Sequence, residues 1–137
     1  MSVASEAAAV RRGPLVVVGG VIAAVVVASV VDAVFALAAL ALGAPDDFQP
    51  LEPGSYIFLT AVGTVAGAIG WAVVRKVSKD PAALVRWLVP TLVVVSFVPD
   101  FLLFGAGGVI GVVALLLMHV AVAAVAVFTY RKVMPLS

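Results

Sequence analysis

Four long apolar runs divide the chain, separated by short polar or Pro/Gly-rich breaks. They extend from about Leu15 to Leu42, Tyr56 to Val74, Leu84 to Phe104 and Val109 to Tyr130. A helix needs about 20 such residues to cross a hydrocarbon core about 30 Å thick. The pattern therefore predicts an all-α, four-helix transmembrane bundle running up-down-up-down, with residues 1–137 forming one integral membrane domain.

The breaks refine this picture. Pro14 suits the first turn of a helix, where its missing N–H is not needed. The segment from Ala44 to Gly54 holds Pro45, Pro50 and Pro53, so it is expected to turn rather than continue as helix. Ser55 is a candidate cap for the second helix. Phe48 and Tyr56 are candidate headgroup-level anchors. Asp80 reads as the cap of the third helix, with Pro81 at its first position. Arg86 and Trp87 follow as a snorkelling cation and an interfacial indole. Pro90 is expected to kink this helix, and Pro99 to bend or end it. Thr91 and Ser96 are the nearby hydroxyls that can satisfy the disturbed backbone. The Gly-rich link from Phe104 to Gly108 requires spans three and four to form a tight antiparallel pair.

Composition and charge add location. The chain is 65% hydrophobic and 11% charged, whereas a soluble domain is about half apolar and about a quarter charged. All eight basic residues fall on one side of the four-span path: Arg11, Arg12, Arg75, Lys76, Lys79, Arg86, Arg131 and Lys132. Short loops rich in Lys and Arg stay on the cytoplasmic side. Both termini and the middle loop are thus expected to be cytoplasmic, in a bacterial inner membrane. The loop holding Asp46, Asp47 and Glu52 is expected to face outward. The first run is longer than a signal-peptide core of about 7–15 residues, so it reads as a retained span. Residues before Gly13 are expected to form a short interfacial helix. There is no cysteine, so disulfides and thiolate metal sites are excluded. A net charge of +1 gives no sign of a nucleic-acid partner.

Lipid supplies no hydrophobic force between helices, so close packing falls to small residues. The candidates are Gly63, Gly67 and Gly70 in the second span, and Gly107 and Gly111 in the fourth. Contacts within one bundle are the expected use. Homo-oligomerisation, or docking of a membrane-protein partner, is the alternative.

Three ionisable residues remain within the spans: Asp32, Asp100 and His119. A charge there is costly and normally faces the bundle interior. With Ser96 they form the candidate polar site. In the functional reading, Asp32 and Asp100 rim a pocket open to the outer face, with His119 about two turns below as its floor. Histidine chemistry suits proton relay there, and the carboxylates suit a cation. In the structural reading, Asp32 bonds to Ser29 or to another helix, and His119 donates to a helix carbonyl. Haem is disfavoured, because Met118 and His119 project about 100° apart and do not share a face. No metal-ligand spacing, phosphate loop or catalytic triad is present, so neither a metal, a cofactor nor an enzyme activity is expected. Phe97, Phe101 and Phe104 read as lipid-facing or packing groups.

The sequence also resembles a known family. Arg86 opens the third span, Val94-Val95-Ser96-Phe97-Val98-Pro99 closes it, and Leu116-Leu117-Met118-His119-Val120 lies in the fourth. These stretches resemble a family of bacterial four-helix integral membrane proteins of about this length, known as a domain of unknown function. The resemblance implies a four-span fold and no established activity. Ser96, Pro99 and His119 are the positions that match its pattern; Asp32 and Asp100 stand outside it. The expected role is a structural or accessory membrane component, with the lipid bilayer as its partner. The alternative is a small proton- or cation-coupled transporter using Asp32 and His119.

Overall fold

The computed structural model describes residues 13–136. Four helices make up almost all of it: α1 (Pro14–Ala41), α2 (Pro53–Val77), α3 (Pro81–Phe101) and α4 (Phe104–Val133), with a single 3-10 turn at Gln49–Leu51. All four are long and apolar enough to cross a membrane. The expected helix before Gly13, with Arg11 and Arg12, lies outside the described residues.

Proline opens three of the helices, at Pro14, Pro53 and Pro81. Asp80 caps α3 as expected, its Oδ1 accepting the Ala83 N–H at 3.1 Å. Ser55 does not cap α2. Glu52 takes that place, because Pro53 starts the helix three positions before Tyr56 and draws Ser55 into the first turn. The chain leaves α1 through Gly43, whose φ of 107° favours glycine. The Ala44 N–H bonds Ala39 O and the Gly43 N–H bonds Leu40 O, a Schellman closure of the helix end. That closure sends the loop back over the bundle.

Each helix runs antiparallel to the one before it. The start of α1 (Val17, Val21), the end of α2 (Trp71, Val74), the start of α3 (Val85) and the end of α4 (Tyr130, Val133) share one apolar cluster. The end of α1 (Ala36, Ala39), the loop, the start of α2 (Tyr56) and Ala114, Leu115 and Met118 of α4 share another at the opposite end. The described basic residues all lie at the first of these ends. Helix α4 packs against the other three, most extensively against α1.

The side-chain distribution is inside out for a water-soluble protein. The buried stripe of α1 is Ala24, Ala28, Asp32, Ala36 and Ala39. Its Val30, Val34 and Leu37 are exposed. Small residues let backbones approach, while branched ones face lipid.

The glycines divide in an unexpected way. A Cβ on Gly67 would meet the Tyr130 hydroxyl at 2.8 Å, so α2 and α4 do approach there. A Cβ on Gly63 or Gly70 would meet nothing within 4 Å among the described residues, so the expected close packing inside the bundle is not made at these two: they share the face of Gly67, one turn to either side, and the close approach is confined to the Tyr130 ring at Gly67. Gly107 and Gly111 do pack, but against a loop ring rather than a helix. A Cβ on Gly107 would sit 2.5 Å from the Phe48 ring, and one on Gly111 would sit 3.0 Å away. Phe48 and Tyr56 are therefore buried core residues, at 3% and 9% exposure, and not headgroup anchors.

Helix α3 continues through Pro90 and Pro99. Each proline lacks the N–H that would reach the carbonyl four residues earlier, Arg86 or Val95. The nearby hydroxyls go elsewhere: Thr91 Oγ1 donates to Trp87 O at 2.7 Å and Ser96 Oγ to Val93 O at 2.5 Å. The clear backbone break lies instead in α4, at Gly108, with φ 65° and ψ −177°. The α3–α4 turn is thus Leu102–Leu103, earlier than the expected link at Phe104 to Gly108.

Candidate functional site

Two buried carboxylates define the polar interior. Asp32, on the Ala stripe of α1, is 1% exposed. Its Oδ2 accepts a hydrogen bond from Thr60 Oγ1 of α2 at 2.6 Å. Its Oδ1 has no partner among the described residues, and neither do the buried Oγ of Ser29 and Oγ1 of Thr64. The structural expectation for Asp32 thus holds in its cross-helix form, with Thr60 and not Ser29 as donor.

Asp100 is 7% exposed near the end of α3. His119 Nδ1 lies 2.9 Å from its Oδ2 and 2.8 Å from Leu115 O on its own helix. One hydrogen cannot point well at both. With the N–H directed at Leu115 O, Asp100 Oδ2 has the imidazole close by but no aligned hydrogen bond. Phe97 stands edge-on to the imidazole, with ring centroids 6.2 Å apart. Asp32 makes its bond to Thr60, so the direct ionisable pair is His119 with Asp100. Ser96, turned onto Val93 O, makes no hydrogen bond to it.

The site departs from the expected pocket in two ways. Asp100 and His119 are level, not two turns apart. From Gly108 to His119 is about 16 Å of helix at about 1.5 Å per residue, so α3 must end well short of the level at which α4 begins. The chain from Leu102 to Gly108 covers that difference. The end of the bundle under the α1–α2 loop, where that pocket was expected to open, is also closed. Phe48, Leu51, Tyr56, Leu115 and Met118 are packed there as buried residues, because the Gly107 and Gly111 slot admits the Phe48 ring. His119 is the member that reaches the periphery, its side chain 37% exposed.

Further polar links continue toward the basic end. The Tyr130 hydroxyl of α4 donates to the Thr64 carbonyl of α2. Trp71 lies 5.5 Å from Tyr130 between ring centroids and donates Nε1–H to Met134 O at 2.8 Å. Sequence reasoning missed Thr60, Thr64, Trp71 and Tyr130. Tyr56, Thr60 and Thr64 recur every four residues and so share a helix face, which is the signal that pointed to them.

The described residues contain no group of three or more His, Cys, Asp or Glu side chains arranged to hold a metal ion. Residues 6–135 are matched by the model of a family described as "Family of unknown function (DUF6069)". Comparisons with curated proteins and with solved structures gave no match.

Proposed function

We propose, for a chain that belongs to the DUF6069 family of unknown function, the role of a small accessory component of the bacterial cell membrane, without catalytic activity. One observation carries this reading: three polar contacts inside the bundle join one helix to another. Thr60 and Asp32 link α2 to α1, His119 and Asp100 pair α4 with α3, and Tyr130 and Trp71 tie α4 to α2. Interhelical polar contacts of this kind hold a bundle together where lipid supplies no hydrophobic force.

The test is flux in sealed liposomes. The reconstituted protein is expected to pass no proton or sodium current above that of empty vesicles, with or without Asp32→Asn and His119→Ala, while His119→Ala lowers its thermal stability. A current that both substitutions abolish would replace this reading with ion-coupled transport. That reading draws on the unpaired Asp32 Oδ1, Thr64 Oγ1 and Ser29 Oγ.

Both termini belong in the cytoplasm on this proposal, because Arg75, Lys76, Lys79, Arg86, Arg131 and Lys132 gather at the end of the bundle where α1 begins and α4 finishes. A fluorescent protein that matures only in the cytoplasm is expected to glow when fused to either terminus. Tag labelling from outside intact cells would refute the orientation.

A further inference from the structure

We infer that the basic end of the α3–α4 seam is a binding site for one anionic phospholipid, with its phosphate between Arg86 and Arg131 and one acyl chain lying along the helices. Two adjoining cavities form this seam, of about 580 and 340 Å³. They share Val89, Val127 and Arg131 as a common wall. Arg86 and Arg131 stand at the basic end. Below them the groove continues past Val127 to Ala123 and Ala124, and its deeper part is apolar apart from Arg131. From Arg131 to Ala123 is about 12 Å along α4 at about 1.5 Å per residue. The site is thus cationic at one end and apolar along its length, as a phospholipid is anionic at one end and apolar along its chains.

Charge selects the occupant. No acidic side chain lines either cavity. Among the described residues, neither arginine has an acidic partner within ion-pair distance. A guanidinium matches phosphate oxygens in bidentate fashion, which an ammonium does not. The neighbouring Lys132 lines neither cavity; its Nζ sits 5.2 Å from the ring centroid of Phe128, a residue of the smaller cavity's wall. Basic pockets between spanning helices near a membrane surface suit anionic head groups. A zwitterionic lipid would bring an ammonium against two guanidiniums, and a peptide would leave the apolar depth empty. The inference requires only that the bundle sits in a bilayer, and it stands whether the polar interior is structural or ion-binding.

The probe is phosphatidylglycerol set against phosphatidylcholine of the same chains, mixed with the purified full chain in detergent and read by native mass spectrometry. The wild type is expected to retain one phosphatidylglycerol in preference, on the order of tenfold. Arg86→Gln with Arg131→Gln is expected to remove that preference. Both side chains are exposed, and unchanged helicity by circular dichroism confirms folding. Val127→Trp, which fills the groove without altering charge, is expected to lower retention of the lipid. Lys132→Gln is expected to leave it unchanged, and millimolar inorganic phosphate is expected not to displace it. Equal retention of the two lipids overturns the inference. So does a loss with Lys132→Gln as large as with the arginine pair, which indicates diffuse surface charge. Displacement by phosphate alone, or full retention by Val127→Trp, also overturns it.

Discussion

Truncating Phe48 to alanine is expected to destabilise the bundle by about 3–5 kcal/mol, the range for deleting a buried aromatic side chain. The ring is 3% exposed and belongs to the cluster formed with Ala36, Ala39, Leu51, Tyr56 and Met118. It carries the loop between α1 and α2, so its loss frees that loop as well as leaving a cavity. The effect is read from the unfolding midpoint in sodium dodecyl sulfate, followed by far-ultraviolet circular dichroism. Gly107→Val tests the same contact from the opposite side. Its Cβ alone would lie 2.5–2.8 Å from three ring atoms, and overpacking of this kind costs about 1–3 kcal/mol. Combining Phe48→Ala with Gly107→Val is expected to cost less than the sum, because the new side chain occupies space the ring has left. A loss below about 1 kcal/mol for Phe48→Ala would mean that the ring exchanges protein for lipid at no great cost, the behaviour of an interfacial anchor.

Much of the fold was legible because the bilayer imposes it. Spanning segments satisfy their backbone internally, so four apolar runs of sufficient length mean four helices. Pro14, Asp80 and Pro81 marked helix starts through backbone chemistry that does not depend on tertiary context. What remained illegible depends on packing. The position of Phe48 is decided by a slot two glycines leave in a helix 60 residues away, and a run of Gly residues is read equally well as a helix-packing motif. Gly63 and Gly70 carry the same motif, yet a Cβ on either would meet nothing within 4 Å among the described residues. The vertical register of Asp100 and His119 depended on where α3 ends, and the seven residues from Leu102 to Gly108 hide that offset. The candidate site was legible at its ionisable members, because a charge among apolar residues is conspicuous. Its donors were not. A single threonine in an apolar run looks unremarkable until its four-residue spacing from Tyr56 and Thr64 is noticed.

The second large effect concerns the bond between Thr60 and Asp32. Thr60→Val keeps the side chain's shape and removes the donor, leaving a carboxyl that is 1% exposed without a hydrogen-bond partner. Hydrogen bonds between membrane helices average only about 0.6 kcal/mol, because the alternative state also finds partners. Removing a donor from a buried acceptor costs about 1–3 kcal/mol, with charged groups at the upper end. Asp32 has no route to water and its other oxygen is already unpaired, so about 2 kcal/mol is the expected loss. Asp32→Asn retains an oxygen for Thr60 and is expected to stay within about 1 kcal/mol of wild type. The informative variant joins Asp32→Leu to Thr60→Val. Replacing both members of a buried polar pair by apolar groups of similar shape is often neutral. The double variant is therefore expected to recover most of the stability lost by Thr60→Val, measured by the same detergent unfolding. If it unfolds as readily as Thr60→Val, the pair is not acting as an isolated link, and Asp32 is held by more than Thr60. If it recovers fully, stability alone does not explain a buried aspartate at this depth. Complementation of a deletion strain by the double variant then separates a structural lock, which leucine and valine replace, from a working carboxylate, which they do not.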